Sequence, residues 1–259
     1  MKKQLVLFVA ILTLVLISNG FAMDIGSMHP TDTQFSMEII HENYERDIRL
    51  TYPTSHRHAT AMQEEQRSFI RFNYSPQPNW GLSFDAGATD AEESEGYAPL
   101  LGLGGHVVVY QRNGFYATIF AKATYTFDIE YRGTFSYEVD GGTETDTEKQ
   151  TEELWEYGGG LQLSKEWIPC SGGRIIGYGG VMASFIDSSE DIRGDYVFND
   201  ETGVETGTYS NHDFKIEEEH PVTYYAGVEA TLTKYEIGLR AESRFYDRTS
   251  FSVGLFKNF

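Results

Sequence analysis

The chain has little cysteine and little positive charge. Its one cysteine, Cys170, cannot form a disulfide within the chain, and its Pro-Cys-Ser-Gly-Gly setting is typical of a turn rather than of a reactive thiol. The 20 lysines and arginines stand against 39 aspartates and glutamates, for a net charge of −19. This excess argues against nucleic acid as a partner, because proteins that bind nucleic acid need a basic surface. We expect no cofactor.

Long apolar runs are absent beyond the amino terminus. The chain starts with Met1, Lys2 and Lys3, continues with an apolar run over residues 5–17, and then has small residues at Gly20 and Ala22. This arrangement predicts a signal peptide, residues 1–22, cleaved after Ala22. The run is shorter than the roughly 20 apolar residues that a membrane anchor needs. Residues 23–259 are expected to form one domain, either soluble in the periplasm or closed into a membrane barrel.

Alternation of apolar and polar residues is the strongest signal in the remaining chain, and it is clearest over residues 235–259. There Phe251, Val253, Leu255 and Phe259 share one face of a predicted strand, since side chains alternate along a strand. The strand before it carries charges of both signs on one face. A soluble sandwich rarely places such charges on its core face, whereas a membrane barrel turns apolar side chains to lipid and polar ones to the lumen.

The final strand resembles the assembly signal of bacterial outer-membrane β-barrels, which ends in Phe after apolar residues at alternate positions. It departs from that signal at Lys257, where an aromatic is usual, with Phe256 displaced by one position. This departure leaves a local bulge or register shift possible. The chain from about residue 33 to residue 259 is similar to the small outer-membrane β-barrel superfamily, which includes the membrane domain of OmpA, OmpX-like proteins and opacity-type proteins.

The resemblance implies an all-β, antiparallel, up-and-down transmembrane barrel in the outer membrane of a Gram-negative bacterium. It also implies a monomer surrounded by outer-membrane lipid and lipopolysaccharide. Periplasmic chaperones and the barrel-assembly machinery are the partners that it implies during biogenesis.

The run count favours ten strands. Ten alternating runs are joined by connections that are alternately long and acidic, then short, as expected when both chain ends are periplasmic. The short turns are predicted at 75–79, 111–114, 168–173 and 233–234. Eight strands is the alternative, if the first pair lies outside the wall. A bulge is predicted in the first run, because its alternation shifts parity at Ile40, and the facing of residues 174–186 is left open.

Charged residues on the inward parity predict a salt-bridge network in the lumen, because small barrels are filled by side chains and buried charges must pair. Asp128 and Glu130 also fall on this parity. The alternative is a narrow, porin-like path that prefers cations, since acids outnumber bases. The predicted lumen residues are Arg71, Asp85, His106, Lys122, Glu156, Glu229, Glu236, Arg240, Glu242 and Arg244. The predicted aromatic girdle and assembly signal comprise Trp80, Trp155, Tyr157, Trp167, Phe251, Val253, Leu255 and Phe259.

The long connections are rich in acid. The ordinary interpretation is solvated loops that repel one another. The sharper hypothesis is a site for Ca²⁺ or Mg²⁺, which take oxygen ligands, although no EF-hand spacing is present. The candidate ligands are Asp187, Glu190, Asp191, Glu217, Glu218 and Glu219.

Together these patterns predict a non-enzymatic barrel with a structural or surface-interaction role carried by acidic outer loops. The narrow channel is the first alternative. A lipid- or peptide-hydrolysing barrel enzyme is the second, with His56, His58, His212 and His220 predicted near the outer rim. No motif places a nucleophile beside a base, as such an enzyme would require.

Overall fold

The described residues fold almost entirely into antiparallel strands. The computed structural model describes residues 26, 28, 34–51, 58–91, 94–139, 142–168, 172–200, 203–218, 221–245 and 250–259. The predicted signal peptide, its boundary after Ala22, and Cys170 lie outside these residues. No helix in the described part of the chain is long and apolar enough to cross a membrane.

Eleven strands follow one another along the described residues. Their bounds are β1 Phe35–Thr51, β2 His58–Gln77, β3 Trp80–Ala91, β4 Ala98–Arg112, β5 Phe115–Val139, β6 Gly142–Trp167, β7 Gly173–Asp200, β8 Gly203–Glu218, β9 Val222–Leu232, β10 Ile237–Phe245 and β11 Ser250–Asn258.

Ten of these strands close into a barrel. Each of β1 to β6 pairs with the next strand, β7 pairs with β9, β9 with β10, β10 with β11, and β11 returns to pair with β1. The remaining strand, β8, pairs with the distal part of β7 and with residues Ile48 to Thr51 of β1. It therefore stands above the short strands β9, β10 and β11. The prediction of ten wall strands is confirmed, and the eight-strand alternative is wrong because β1 and β2 both belong to the wall.

Strand register fixes the tilt and width of the barrel. One row of paired residues starts at Asp187, runs round the wall, and returns to β7 at Ile175, twelve residues away. For ten strands with that stagger, the standard strand spacings give a tilt of about 40° and a backbone radius of about 10 Å. The row between these ends is Trp155, Tyr125, Leu101, Ala86, Ile70, Ile39, Leu255, Leu239 and Ala230.

The strand over residues 174–186 turns most of its large side chains inward. Ile176, Tyr178 and Met182 are buried in the lumen, whereas Phe185 is exposed on the outer surface. Its glycines make room for aromatic rings from neighbouring strands, since a Cβ on Gly180 would collide with the Tyr225 hydroxyl. Because apolar residues face inward and glycines lie between them, this strand has no alternation of apolar and polar residues from which its facing could be predicted.

The predicted bulge in β1 is wrong. β1 pairs with β2 and with β11 without a register shift, and Ile40 points inward, where it packs against Phe69 and Leu100. The irregular step occurs instead in β5, between Thr126 and Ile129. That step turns Ile129 into the interior and leaves Asp128 exposed with a positive φ.

The carboxyl-terminal strand accommodates its unusual residues without a shift. β10 and β11 pair continuously, so the bulge that the sequence left open at Phe256 does not form. The Phe256 ring turns inward over Gly238, where a Cβ would overlap it. Lys257 points outward and is exposed, with its ammonium 5.3 Å from the centre of the Phe259 ring.

The outer surface carries an apolar band bordered by aromatic rings. Near the turns at 75–79 and 168–173, Phe35 stacks on Tyr74 at 4.9 Å and Trp167 is 52% exposed. At the other border, the Tyr125 and Trp155 rings lie 4.7 Å apart. Large apolar side chains fill the band between these borders and are exposed; they include Leu82, Leu103, Ile119, Leu161, Leu163 and Leu255.

Candidate functional site

Asp85 is the centre of a buried ion-pair group at mid-height in the lumen. Arg71 donates from Nε to Asp85 Oδ1 at 2.8 Å and from Nη2 to Oδ2 at 2.9 Å. Lys122 places its ammonium 2.8 Å from the same Oδ2 atom. These residues belong to β2, β3 and β5, and inward alternation brings them together. The planar guanidinium matches both carboxylate oxygens, which makes this the strongest geometry for such a pair.

A second ion-pair group lies closer to the outer end. Arg67 contacts Glu65 at 2.9 Å and Glu156 at 3.0 Å, and its guanidinium lies 4.6 Å from the centre of the Tyr44 ring. Thr89 donates a further hydrogen bond to Glu65 at 3.0 Å. The group therefore joins β1, β2, β3 and β6 across the interior.

A third group is built on β10. Arg240 lies 2.9 Å from Glu38 on β1, and Arg244 lies 3.7 Å from Glu242. Tyr178 on β7 donates its hydroxyl to Glu242 at 3.1 Å. Arg244 and Glu242 are both buried.

Near the opposite end, Arg174 bridges two acids. It approaches Glu229 at 3.5 Å and Glu166 at 4.0 Å, and Tyr116 donates to Glu166 at 2.6 Å. His106 lies against Gly81, where a Cβ would come 2.7 Å from its ring. The lumen is thus lined by paired charges along its length.

The inward placement of Glu236 is wrong. This residue lies in the tight turn before β10, has φ 54°, and is exposed. Glu130 also lies off the lumen, because the β5 irregularity changes parity; it pairs with Lys149 at 2.9 Å with both side chains more than 40% exposed. The other predicted lumen residues, Arg71, Asp85, His106, Lys122, Glu156, Glu229, Arg240, Glu242 and Arg244, all lie on inward positions of their strands.

Sequence reasoning missed Glu38, Glu65 and Arg67. The shift predicted in β1 obscures the parity of Glu38, and both faces of β2 are polar over residues 63–67, so no apolar stripe marks Glu65 and Arg67 there. The alternation Glu65, Arg67, Phe69, Arg71 was the available signal. Because this two-residue spacing continues into the clearly alternating run after Ser68, it places Glu65 and Arg67 on the lumen side of the same strand.

Residues from the amino-terminal side of β1 also enter the lumen. The Gly26 N–H donates to Glu242 Oε2 at 3.1 Å, and the Thr118 hydroxyl donates to the Met28 carbonyl at 3.0 Å. In the orientation that satisfies both ends of its amide, Gln162 donates to the Gly26 carbonyl at 2.9 Å and accepts from the Met28 N–H at 2.8 Å. We call Gly26 and Met28 the lumen segment. No sequence signal predicted its position.

The Met28 side chain extends this contact into an apolar cluster. It packs against buried residues of β5, β7 and β9, and the Phe120 and Tyr225 rings within that cluster meet edge to face at 6.1 Å. The cluster comprises Phe120, Tyr178, Met182 and Tyr225.

The described residues show no arrangement of side chains that supports the metal-site or the enzyme hypothesis. No group of three or more His, Cys, Asp or Glu side chains within them could hold a metal ion. Asp187 is exposed; Glu219 lies outside the described residues, as do the side chains of Glu190, Asp191, Glu217 and Glu218. His56 and His220 also lie outside them, together with the side chains of His58 and His212.

The arrangement defines a transmembrane β-barrel: its exposed face is apolar and bordered by aromatic rings, while its enclosed face carries the charges. A water-soluble barrel would place these two faces the other way round. All predicted girdle and assembly residues face outward, with Trp80, Phe251 and Val253 less exposed than Trp155, Tyr157, Trp167, Leu255 and Phe259.

The sequence matches no protein-family model and no curated protein. Several solved structures are similar in architecture. The translocator domain of the autotransporter NalP from Neisseria meningitidis is 10% identical, with a TM-score of 0.40 over 91% of this chain and 90% of that one. The β domain of the Bordetella autotransporter BrkA is 16% identical, with a TM-score of 0.39 over 88% and 100%. An outer membrane channel from Pseudomonas putida F1 is 9% identical, with a TM-score of 0.36 over 92% and 100%. These similarities are distant, and the assignment to membrane barrels rests on the chain's own strand pairing and surface.

Proposed function

We propose that this protein acts at the surface of a Gram-negative bacterium as a non-enzymatic, monomeric outer-membrane barrel whose acidic outer extension meets cationic partners. Lipid and lipopolysaccharide surround its apolar band, and periplasmic chaperones and the barrel-assembly machinery deliver it. The observation that carries the proposal is the ordered strand extension that stands beyond the apolar band.

The extension is built from the distal parts of β5, β6 and β7 together with β8. β5 and β6 remain paired up to Val139 and Gly142, and β7 and β8 up to Asp200 and Gly203. At about 3.3 Å per residue and a tilt of about 40°, the β5–β6 hairpin reaches roughly 35 Å beyond the Tyr125 ring. Backbone pairing holds this extension in place, so it can present a fixed surface to a partner.

The extension carries more described acidic side chains than basic ones. Two of its bases already pair with acids, Arg132 with Glu95 at 3.0 Å and Lys149 with Glu130 at 2.9 Å. A surface with one dominant sign of charge steers partners of the opposite sign. The carboxylates described on it are Glu130, Glu144, Glu148, Glu153, Asp187 and Asp195, against Arg132, Lys149 and Arg193; of these acids, Glu153, Asp187 and Asp195 are exposed and the other three are half-buried.

The closed lumen supports a surface role over transport. Ion pairs, the Met28 cluster and the lumen segment occupy the interior where a channel would need open water. A barrel with this interior is expected to give no stable conductance, and planar-bilayer recordings of the purified protein test that expectation.

Binding of a fluorescent oligolysine to intact cells that display the protein tests the surface role. We expect salt-sensitive binding that falls when Glu144 and Glu148 become Gln and Asp195 becomes Asn. Glu236→Gln is the matched control, because it removes one exposed carboxylate at the opposite end of the barrel. Binding by the triple variant equal to that of the unchanged protein, or binding by the unchanged protein equal to that of cells without it, would contradict the proposal.

A further inference from the structure

The lumen segment spans the interior from one side of the wall to the other. Gly26 is held by Glu242 on β10, while Met28 is held by Thr118 on β5 and by Gln162 on β6. These strands lie on different parts of the barrel circumference. Among the described residues, Gly26 and Met28 lie in the lumen without being part of a wall strand.

The space they occupy is about as wide as one extended chain. A backbone radius of about 10 Å leaves an axial space of roughly 4–5 Å radius once inward side chains fill the rest. The fit at Gly26 is close: a Cβ there would overlap the Arg240 guanidinium and lie 3.2 Å from an Arg71 nitrogen. Both guanidinium groups are held by carboxylates, Arg240 by Glu38 and Arg71 by Asp85. They cannot move aside without breaking buried ion pairs.

The bonds that hold the segment differ from those that hold the wall. The wall is closed by backbone pairing and by buried ion pairs, whereas the segment's described polar contacts are hydrogen bonds to uncharged groups apart from Glu242. No ladder pair includes Gly26 or Met28, and the pairing of β1 starts at Phe35. The segment can therefore leave the lumen without breaking a wall strand.

We propose that Gly26 and Met28 form a displaceable plug, and that the barrel becomes a narrow ion channel when they leave. The opened path passes Thr118, Gln162 and Glu242, which then exchange their contacts with the segment for water. This inference goes beyond the surface role and does not depend on it.

The charge of the lumen sets the selectivity of the opened path. Its buried carboxylates outnumber the basic groups that face them, so small cations are expected to pass in preference to anions. The carboxylates are Glu38, Glu42, Glu65, Asp85, Glu152, Glu156, Glu229 and Glu242, and the bases are Arg67, Arg71, Lys122, Arg174, Arg240 and Arg244.

Single-channel recording in planar bilayers tests the plug with KCl as the probe. Gly26→Arg adds both bulk and a third positive charge beside Arg240 and Arg71, so we expect it to expel the segment. Gly173→Arg is the matched control; Gly173 lies at the start of β7, where the nearest atom to an added Cβ is the Thr231 carbonyl oxygen at 3.4 Å. The double variant Thr118→Ala with Gln162→Ala removes the two side chains that hold Met28 and reaches the same state by a second route.

We expect a silent wild type and a silent Gly173→Arg control. Gly26→Arg and the double variant should each show discrete openings and spend at least about tenfold more time in the open state than the wild type. In a KCl gradient, their reversal potential should shift toward the equilibrium potential of K⁺. Heat-modifiable gel mobility identifies the preparations that contain folded barrel; if Gly26→Arg does not fold, the double variant decides. Folded variants as silent as the wild type overturn the plug and leave the closed barrel standing. A wild type as conductive as the variants overturns both the plug and the closed lumen.

Discussion

Arg71 and Asp85 lie directly opposite each other on β2 and β3 and form a two-pronged ion pair in the interior of the barrel. The pair is flanked by Lys122, so one carboxylate neutralises two cations. The lumen consequently depends on Asp85 more than on either of its partners.

Replacing Asp85 by Asn should destabilise the barrel by about 3–5 kcal/mol, because two buried cations lose their counter-charge. Urea unfolding in detergent micelles, followed by tryptophan fluorescence, measures this change. Glu95→Gln is the control: it breaks the exposed Arg132–Glu95 pair, whose side chains are 56% and 39% exposed, and should cost about 0–1 kcal/mol. Equal losses in the two variants would contradict a charge network confined to the interior.

Gly238 and Phe256 form a steric pair that can be tested by rescue. Gly238→Leu should cost about 1–3 kcal/mol, because the added side chain overlaps the Phe256 ring. The double variant Gly238→Leu with Phe256→Ala should recover part of that loss. The yield of heat-modifiable folded protein and its unfolding free energy are the measurements. Additive losses in the double variant would show that Phe256 does not lie over Gly238.

Removal of the β7–β8 hairpin should leave the wall intact. Among the described residues β8 pairs only with the distal part of β7 and the end of β1. Replacing residues 191–218 by a short turn also removes the distal β6–β7 pairs from Thr151↔Asp191 to Gly142↔Asp200, but it leaves the β6–β7 pairs from Glu152↔Glu190 to Trp167↔Ile175 and every other link of the ten-strand closure. We expect the shortened protein to insert and to keep its heat-modifiable mobility. A chain that no longer folds would place β8 within the closure itself.

Trp155 and Trp167 should report the two borders of the bilayer. They occupy the same outward face of β6, and at about 3.3 Å per residue and about 40° of tilt they lie roughly 30 Å apart along the membrane normal. Single-tryptophan variants in bilayers of brominated lipids should place both indoles at interfacial depths, in opposite leaflets. An indole at the bilayer centre would contradict the assigned span.

The sequence was sufficient for the number of wall strands because the barrel rule is local: apolar and polar residues alternate along most strands, and the ten predicted runs correspond to the ten strands that close the wall. Prediction from the sequence failed where a side chain faces the side of the wall opposite to the one that its polarity predicts. Ile40 and Phe256 are apolar but inward, since Phe69 and Gly238 offer them complementary space. Asp128 lies within the irregular step between Thr126 and Ile129, which the composition of β5 does not predict.

The candidate site was only partly predictable, for a related reason. Alternation tells which charges share the lumen, but the tilt and stagger of the wall decide which of them meet. Arg67 reaches Glu156 although these residues are 89 positions apart. The placement of Gly26 has no local signal, because it follows from the width left inside the closed barrel.

Spin-label accessibility along β9 tests the central claim, which is that the apolar face of each strand contacts lipid and the charged face lines the closed lumen. Single cysteines at each position from 224 to 231, in a Cys170→Ser background, would carry nitroxides in lipid bilayers. The account predicts oxygen collision rates that alternate with a period of two, high at Tyr224, Ala226, Val228 and Ala230 and low at Tyr225, Gly227, Glu229 and Thr231. A flat profile, or high rates at the second set, would contradict it.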